Sequence, residues 1–201
     1  MNRLFGASAV LLTLLYHCAQ AQVIEFESNG LKYQTLTRSG VTVMFTHLGN
    51  HIHEYSIIQV AISNGSNTLY IIRPEDFTYV HSDGSVLVAS SIKNVIDMLM
   101  QRGNSSDVVK LVTQYEATVY GNPHFKSTNG YEQRRQAALA MSGGNKLKAA
   151  AAASAVAMVL TRLKPGESTD GAVFFSTEGK PLAGGRVVVK TNSDVFEFKS
   201  D

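Results

Sequence analysis

The sequence predicts an α+β fold in which an antiparallel β-sandwich is interrupted by a helical insertion. Apolar residues alternate with a period of two in residues 23–88 and again near the C-terminus, which is typical of half-buried strands. Between these two stretches the period changes to that of amphipathic helices. The predicted organisation is a β-sandwich domain formed by residues 22–89 and 163–201, with a helical insertion at residues 90–162.

Residues 1–21 have the pattern of a secretory signal peptide. Arg3 precedes an apolar run at residues 5–16, and residues 19–21, Ala-Gln-Ala, form a small-x-small cleavage site. The run of about 12 residues is shorter than the roughly 20 that cross a bilayer. We therefore predict cleavage before Gln22, a secreted or periplasmic location, and no membrane span in the mature chain.

Composition restricts the classes of function. The one cysteine, Cys18, lies in the predicted signal peptide, so the mature chain has no disulfide, no thiol nucleophile and no cysteine metal site. The net charge of +2 falls to +1 when Arg3 is removed, and this balance gives no electrostatic footprint for nucleic acid. We expect a protein that is stable by packing alone, with no nucleic-acid partner and no cofactor.

The first β half contains two clear strands. Val43 and Phe45 lie on one face of the first, and Ile58, Val60 and Ile62 lie on one face of the second, because successive strand residues point to opposite sides. Turn-forming Asn, Gly and Ser residues separate the strands about every ten residues, which is typical of an antiparallel sandwich or barrel. These five side chains are predicted to be buried between facing strands.

The insertion is predicted to contain four helices, three of which, the first, the second and the last, form a satellite core of their own. Ser90 or Ser91 would cap the first helix, which ends at Gly103, and Ser106 or Asp107 would cap the second. Both have apolar stripes with helical spacing. A break is predicted at Asn122-Pro123, after the second helix. The third helix is predicted at about residues 131–141 and the fourth at about residues 146–163.

Four short segments of the β halves share a pattern with a known class of domain. They are residues 55–66 (YSIIQVAISNGS), 72–77 (IRPEDF), 163–168 (LKPGES) and 171–175 (GAVFF). This pattern, a central strand that ends at an Asn-Gly turn followed by a Pro-x-Asp-Phe-like segment, resembles small immunoglobulin-like domains exported by bacteria. The resemblance implies an immunoglobulin-like sandwich with a non-catalytic accessory or adhesive role, and it covers the β halves only.

His47, His51 and His53 are the candidate metal ligands. In an extended strand His51 and His53 share a face, and His47 would reach them around a Gly49-Asn50 turn. Neutral imidazoles on one face suit zinc or copper. The alternative is a polar loop between strands that binds no metal. A metal-binding envelope protein that uses these three histidines is the second functional hypothesis.

The sequence favours a protein that is not an enzyme. The His53-Glu54 pair is followed by Ile57 where the helical zinc-protease motif needs a second histidine. The spacing of Glu75, Asp76 and Asp170 does not identify an acid–base pair. A hydrolase with a site between the two lobes is kept as the third hypothesis.

The leading hypothesis is an exported binding or structural module that contacts an envelope or extracellular protein through its helical insertion. The run Ala149–Leu160 contains only small and apolar residues, and Ala153 and Ala157 share one face of the predicted helix. We predict that this face binds the partner. The alternatives are burial of the helix, self-association and contact with a membrane surface. Arg134 and Arg135 are interpreted as part of a solvated helix face.

Overall fold

The structure is a computed structural model that describes residues 22–120 and 129–200. The predicted α+β class is confirmed, and every pairing between its named strands is antiparallel. The predicted signal peptide at residues 1–21 and the predicted helix break at Asn122-Pro123 lie outside the described residues.

Strands occupy both ends of the described chain and helices its middle. The strands are β1 (Ile24–Ser28), β2 (Leu31–Arg38), β3 (Val41–Ile52), β4 (Tyr55–Asn64), β5 (Tyr70–Ile72), β6 (Phe77–His81), β7 (Val86–Val88), β8 (Thr161–Leu163), β9 (Ser168–Ser176), β10 (Gly185–Lys190) and β11 (Val195–Ser200). The helices, which together are called the helical layer, are α1 (Ile92–Arg102), α2 (Ser105–Tyr120), α3 (Tyr131–Ala140) and α4 (Asn145–Val156).

The strands form three sheets. A five-stranded sheet has the order β1-β2-β3-β4-β9, a four-stranded sheet has the order β11-β10-β6-β7, and β5 pairs with β8. Strand β4 is central in the larger sheet, where Val60 lies opposite Phe45 of β3 and Gly171 of β9. The partners β4 and β9 lie on opposite sides of the helical segment in the sequence, so this pairing joins the two β halves.

The five-stranded sheet is covered on both faces. Its first face packs on the four-stranded sheet in what we call the sheet–sheet core, which contains all five side chains predicted to be buried. Its second face packs on the helices in what we call the sheet–helix core. The sheet–helix core includes Leu48, Ile52, Tyr55, Ile57, Ala172 and Phe174 from strands, and Val95, Leu99, Leu111, Tyr115, Ala149, Ala152, Ala153 and Val156 from helices.

This arrangement corrects two predictions. Strand β4 is not half-buried, because Ile58 and Val60 point into the sheet–sheet core while Tyr55 and Ile57 point into the sheet–helix core. The helices do not form a satellite core of their own either. The sheet covers the apolar side chains of the helices, because an apolar helix face is stable only when another element buries it.

The first helix begins as predicted, and the second does not. The Ser91 side chain accepts a hydrogen bond from the Asn94 backbone N–H at 3.3 Å, which caps α1. Asn104, rather than Ser106 or Asp107, caps α2. The Asn104 side chain accepts from the backbone of Asp107 at 3.2 Å, and the Asp107 carboxylate accepts from the backbone of Asn104 at 2.9 Å. This reciprocal pair is a capping box with aspartate in place of glutamate.

The last helix is shorter than predicted. Helix α4 ends at Val156, whereas the prediction extended it to residue 163, where the structure has strand β8. The chain leaves the helix because the Met158 backbone N–H bonds to the Ala172 carbonyl of β9 at 2.8 Å. This approach depends on Gly171, where an added Cβ would lie 2.4 Å from the Met158 Cα.

Within residues 22–120 and 129–200, no helix is both long and apolar enough to cross a membrane.

Candidate binding groove on the helical layer

The outer surface of the helical layer contains an open depression of about 540 Å³ between α1, α3 and α4. We call it the groove. A volume of this size falls in the range of roughly 300–1,000 Å³ that is usual for ligand sites. Its lining consists of Ile96, Met100, Arg134, Ala137, Ala138, Met141, Leu147, Ala150, Ala151, Ser154 and Ala155, so that Arg134 is the one charged residue in it.

The alanine-rich sequence of α4 produces the floor of the groove. Helix α4 contacts each of the other three helices, and most of its alanines are buried. Leu147, Ala151 and Ser154 follow at i, i+4 and i+7 and therefore share the outer face of the helix. Small side chains on this face leave room above α4, and another helix is able to approach such a floor closely.

Large apolar side chains form the walls. Ile96 and Met100, one turn apart, stand on α1, and Met141 follows the end of α3. Met100 is 45% exposed and Met141 is 41% exposed, so both present apolar surface to solvent. Unbranched methionine side chains adapt to ligands of different shape and are common at binding surfaces.

The guanidinium of Arg134 forms part of the inner wall and is held by the backbone. Its Nε donates to the Ala155 carbonyl at 3.1 Å, and its Nη1 donates to the Asn129 carbonyl. Its Nη2 is buried and has no hydrogen-bond acceptor among the described residues. An unpaired buried donor costs about 1–3 kcal/mol, and an acceptor that reached this nitrogen would remove that cost. The prediction that Arg134 belongs to a solvated helix face is therefore wrong.

A buried polar network lies behind Arg134. The Asp170 carboxylate accepts hydrogen bonds from the Tyr115 hydroxyl, from Asn129 Nδ2 at 2.9 Å and from Gln59 Nε2 at 3.3 Å. Asn129 also donates to the Asp170 backbone carbonyl at 2.7 Å. Through Asn129 this network fixes the carbonyl on which Arg134 rests, and so it connects the groove wall to strand β9.

Tyr115 is protonated throughout the ordinary pH range. Burial raises the pKa of its phenol well above the usual value, and the neighbouring charge of Asp170 raises it further. Its ring also packs against Tyr131 of α3, with the two ring centroids 4.3 Å apart. Tyr115 thus joins α2, α3 and β9 as a neutral hydrogen-bond donor.

The network adjoins a small cavity. A cavity of about 10 Å³ lies beside Asp170, and it is lined by Tyr33, Met44, Phe45, Gln59, Ala61, Thr118, Val119 and Asp170. A cavity of this size has room for about one water molecule. This cavity, formed by described residues, is too small for an organic substrate. Asp76, considered with Asp170 as an acid–base partner, accepts instead from the Arg73 backbone in its own turn at 3.1 Å.

The three candidate metal ligands do not come together. His47 shares the face of β3 that enters the sheet–sheet core, where it meets the Phe45 ring at 5.4 Å and burial lowers its pKa. His53 faces the helices, and its Nε2 lies 3.0 Å from the Asp107 carboxylate. His51 is exposed. Across residues 22–120 and 129–200, no three His, Cys, Asp or Glu side chains are placed to hold a metal ion.

The physical reason is an irregularity in the strand that carries the histidines. The pairing of β3 with β4 shifts register between Leu48 and Ile52, and His53 has a left-handed backbone with φ of 51°. An extended strand would have put His51 and His53 on one face. The register shift and the turn instead send these imidazoles in different directions.

The two alanines predicted to bind a partner are buried. Ala153 is 0% exposed and Ala157 is 2% exposed, and both belong to the sheet–helix core. Ala157 lies at the end of α4, where it forms an isolated bridge with Ala172 of β9. Neither methyl group is available to another protein, so the structure gives them the alternative role of packing the helix on the sheet.

The groove residues were missed because the stripe on α1 was assumed to face a single core. Apolar positions 92, 95, 96, 99 and 100 span a wider arc than one contact needs. In the structure Val95 and Leu99 face the sheet, whereas Ile96 and Met100 border the groove. A stripe that is too wide for one contact was the available signal for a second apolar face.

Comparisons with known proteins do not assign the chain to a family. No protein-family model matches it, and no curated protein matches it. The crystal structure of the yjhA protein from Bacillus subtilis aligns with 89% of this chain and 96% of its own, at 11% identity and a TM-score of 0.37. Similarity at this level carries no argument about fold or function.

Proposed function

We propose that this chain is an exported, non-catalytic binding protein that contacts a protein partner through the outer surface of its helical layer. The groove between α1, α3 and α4 carries the proposal. It is large, it is lined almost entirely by apolar side chains, and two of them, Met100 and Met141, are substantially exposed. Exposed apolar surface gathered in a concave site is a mark of protein or ligand binding.

Other features support the remaining parts of the proposal. The pattern of residues 1–21 supports export, and the cysteine-free mature sequence fits a domain held together by packing. The limited space beside Asp170 supports a structural use of its carboxylate. Two antiparallel sheets around a common core support the finer proposal that the β halves form an immunoglobulin-like sandwich.

Site-specific photo-crosslinking in the native host tests this function. A photoreactive phenylalanine analogue replaces Met100 in the groove or, as a matched control, Val86, which is 60% exposed on the four-stranded sheet. We expect a discrete covalent adduct from position 100 and none from position 86. The reverse pattern, or equal adducts from both positions, contradicts the proposal.

A second pair of variants tests whether the adduct requires the groove itself. Ala151→Phe places a large side chain on the groove floor, whereas Val109→Phe enlarges a side chain that is 62% exposed on α2, away from the groove lining. Ala151→Phe should remove the adduct at position 100 while both proteins keep the parent melting temperature. An adduct that persists in Ala151→Phe shows that the partner binds elsewhere.

A further inference from the structure

The charges around the groove are predominantly positive. From the start of α3 to the end of α4, residues 131–156 contain four cationic side chains and one acidic side chain. Arg135 is paired with Glu116, but among the described residues no carboxylate lies within ion-pair distance of Arg134, Lys146 or Lys148. A partner that meets this surface is therefore selected for negative charge.

Arg134 is distinguished from the lysines by its position and its fixed geometry. It lines the groove, while its Nε and Nη1 are held by the carbonyls of Ala155 and Asn129. Because two of its nitrogens are already bonded, little side-chain entropy remains to be lost when Nη2 gains an acceptor. Nη2 itself is buried, so a carboxylate reaches it only if side chains at the groove move, and the unbranched methionines that line the groove are adaptable.

The shape of the groove favours a helix as the occupant. Two helices, α1 and α3, border a floor of small side chains on α4, and helices pack with axes about 8–10 Å apart. An added helix would complete the outer surface of the helical layer, with its apolar stripe between Met100 and Met141. Amphipathic helices bind such grooves through anchors at i, i+3, i+4 and i+7.

We infer that the groove binds an amphipathic helix of the partner that has an acidic residue beside its apolar stripe, and that Arg134 selects this residue by donating from Nη2 to its carboxylate. This inference rests on the proposed function, because it specifies the chemistry of the partner at the same groove. Arg134 is then the specificity-determining residue. The apolar walls supply the contact area, and the fixed guanidinium supplies the discrimination between an acid and its amide.

Methionine-methyl NMR with two synthetic peptides tests the inference. The mature protein is labelled at the methionine ε-carbons, so that Met100 and Met141 report on the groove, while the buried Met98 and Met158 report on the cores. The peptides are blocked amphipathic helices of about 14 residues, roughly four turns, with leucines on one face. One has a single Glu beside the leucine stripe, and its twin has Gln at that place.

The inference predicts that the Glu peptide shifts the methyl signals of Met100 and Met141 but not those of Met98 and Met158. It should bind about tenfold or more tightly than the Gln peptide, as expected for a charge-assisted hydrogen bond. In Arg134→Gln the two peptides should bind equally. Lys146→Gln, which removes a charge outside the groove lining, should keep the preference for Glu.

The outcomes separate the inference from the proposed function. If both peptides shift the groove methyls with equal affinity for the parent protein, the groove is a binding site but selection by Arg134 is refuted. If neither peptide shifts them, the helix as occupant is refuted, and so is the proposed function if the crosslinks at position 100 are also absent. Shifts by decanoate alone would identify a site for small apolar anions and overturn the helix. The twin comparison uses the parent protein, so it stands even if Arg134→Gln unfolds.

Discussion

The two faces of the five-stranded sheet are buried by different means. In the sheet–sheet core, large branched and aromatic side chains come from both sides, such as Val60 and Phe175 against Phe77 and Phe196. In the sheet–helix core the sheet contributes large side chains, but α4 contributes mainly alanines. The small side chains of α4 bring its backbone close to the sheet. Because the backbones are close, neighbouring side chains have little freedom to fill a cavity left by one lost methyl group.

The helix-facing side of the five-stranded sheet also carries a buried polar cluster. Its residues change from apolar at Tyr55 and Ile57 to polar at Gln59 and Asp170. The polar end is tied to the helices by directional hydrogen bonds. The comparison indicates that the helical layer is a structural half of the domain, positioned on the sheet by specific hydrogen bonds.

The largest effect is expected from removing the helical layer. Deleting residues 90–162 and joining the ends with a Gly-Ser linker exposes Leu48, Tyr55, Ile57 and Phe174 at once. Each large apolar side chain contributes about 1.5–3 kcal/mol when buried, and a typical domain is stable by only about 5–15 kcal/mol. We expect a chain without native tertiary structure, as judged by near-ultraviolet circular dichroism and amide dispersion in NMR spectra.

The control for the deletion is the same Gly-Ser linker inserted at Gly84, in the turn between β6 and β7, which should leave the protein folded. A deleted protein with a cooperative melting transition and dispersed amide signals would mean that the β halves are independent of the helices. In that case the sheet–helix core described above would be a minor contact.

A charge placed in either core should cost several kcal/mol. Val60→Asp and Ala153→Glu each put a carboxylate at a fully buried position, the first in the sheet–sheet core and the second in the sheet–helix core. Ser154→Glu, on the exposed side of the same helix, should change stability by less than about 0.5 kcal/mol. Chemical denaturation measures the stability of all three variants. Near-parental stability of Ala153→Glu would mean that residue 153 is exposed and not buried in the sheet–helix core.

An intermediate effect is expected at alkaline pH. Because folding raises the pKa of Tyr115, the folded state holds its proton more tightly than the unfolded state. The resulting stability is complete below the unfolded pKa of about 10 and is lost above it, by up to about 1.4 kcal/mol per pH unit. Tyr115→Phe should therefore cost about 1–2 kcal/mol at pH 7 and show a flatter decline between about pH 10 and 12.

Urea denaturation at several pH values measures this difference. Burial also raises the pKa of Tyr33, Tyr55 and Tyr70, so the informative quantity is the difference in slope between the parent and Tyr115→Phe. Parallel curves for the two proteins contradict a buried, neutral Tyr115 bonded to Asp170.

The smallest effect is expected at the turn between β3 and β4, where the ion pair of Glu54 with Arg102 attaches the turn to α1. Arg102 Nη2 lies 2.6 Å from Glu54 Oε1, but both side chains are partly exposed, so solvent screens the pair. We expect Arg102→Ala to lower stability by less than about 1 kcal/mol in dilute buffer and by less again in 1 M salt. A loss above about 2 kcal/mol would show that the turn is essential to the sheet–helix core.

The elements of the fold follow from local patterns in the sequence. Period-two alternation identified β3 and β4 and their core side chains, and the Ser91 cap located the start of α1. These features depend on residues that are neighbours in the chain, so they can be predicted from a single sequence. The end of α4 depends on a bond between Met158 and Ala172, which are distant in the sequence, and no local signal reports it.

The candidate site was less accessible to sequence reasoning. The histidines were grouped by spacing, but a register shift and a left-handed residue at His53 separate them. The alanines of α4 were correctly singled out as unusual, but a small apolar residue fits a buried contact and an interface equally well. Arg134 resembled any solvated cation, since its two backbone acceptors, Asn129 and Ala155, are set by how α3 packs on α4.

The pairing of β4 with β9 also sets the order in which the chain can fold. The Ser168 hydroxyl donates a hydrogen bond to the Ser63 hydroxyl at 3.0 Å, although the two residues are 105 positions apart in the sequence. The central strand β4 therefore pairs with a strand that is synthesised much later. Such distant pairing slows folding, because a large loop closes before the contact stabilises it. Strand β9 contributes Phe175 to the sheet–sheet core and Phe174 to the sheet–helix core, so neither core is complete until β9 has joined β4. Strand β11 adds Phe196 and Phe198 to the sheet–sheet core, which therefore also depends on this distant part of the chain.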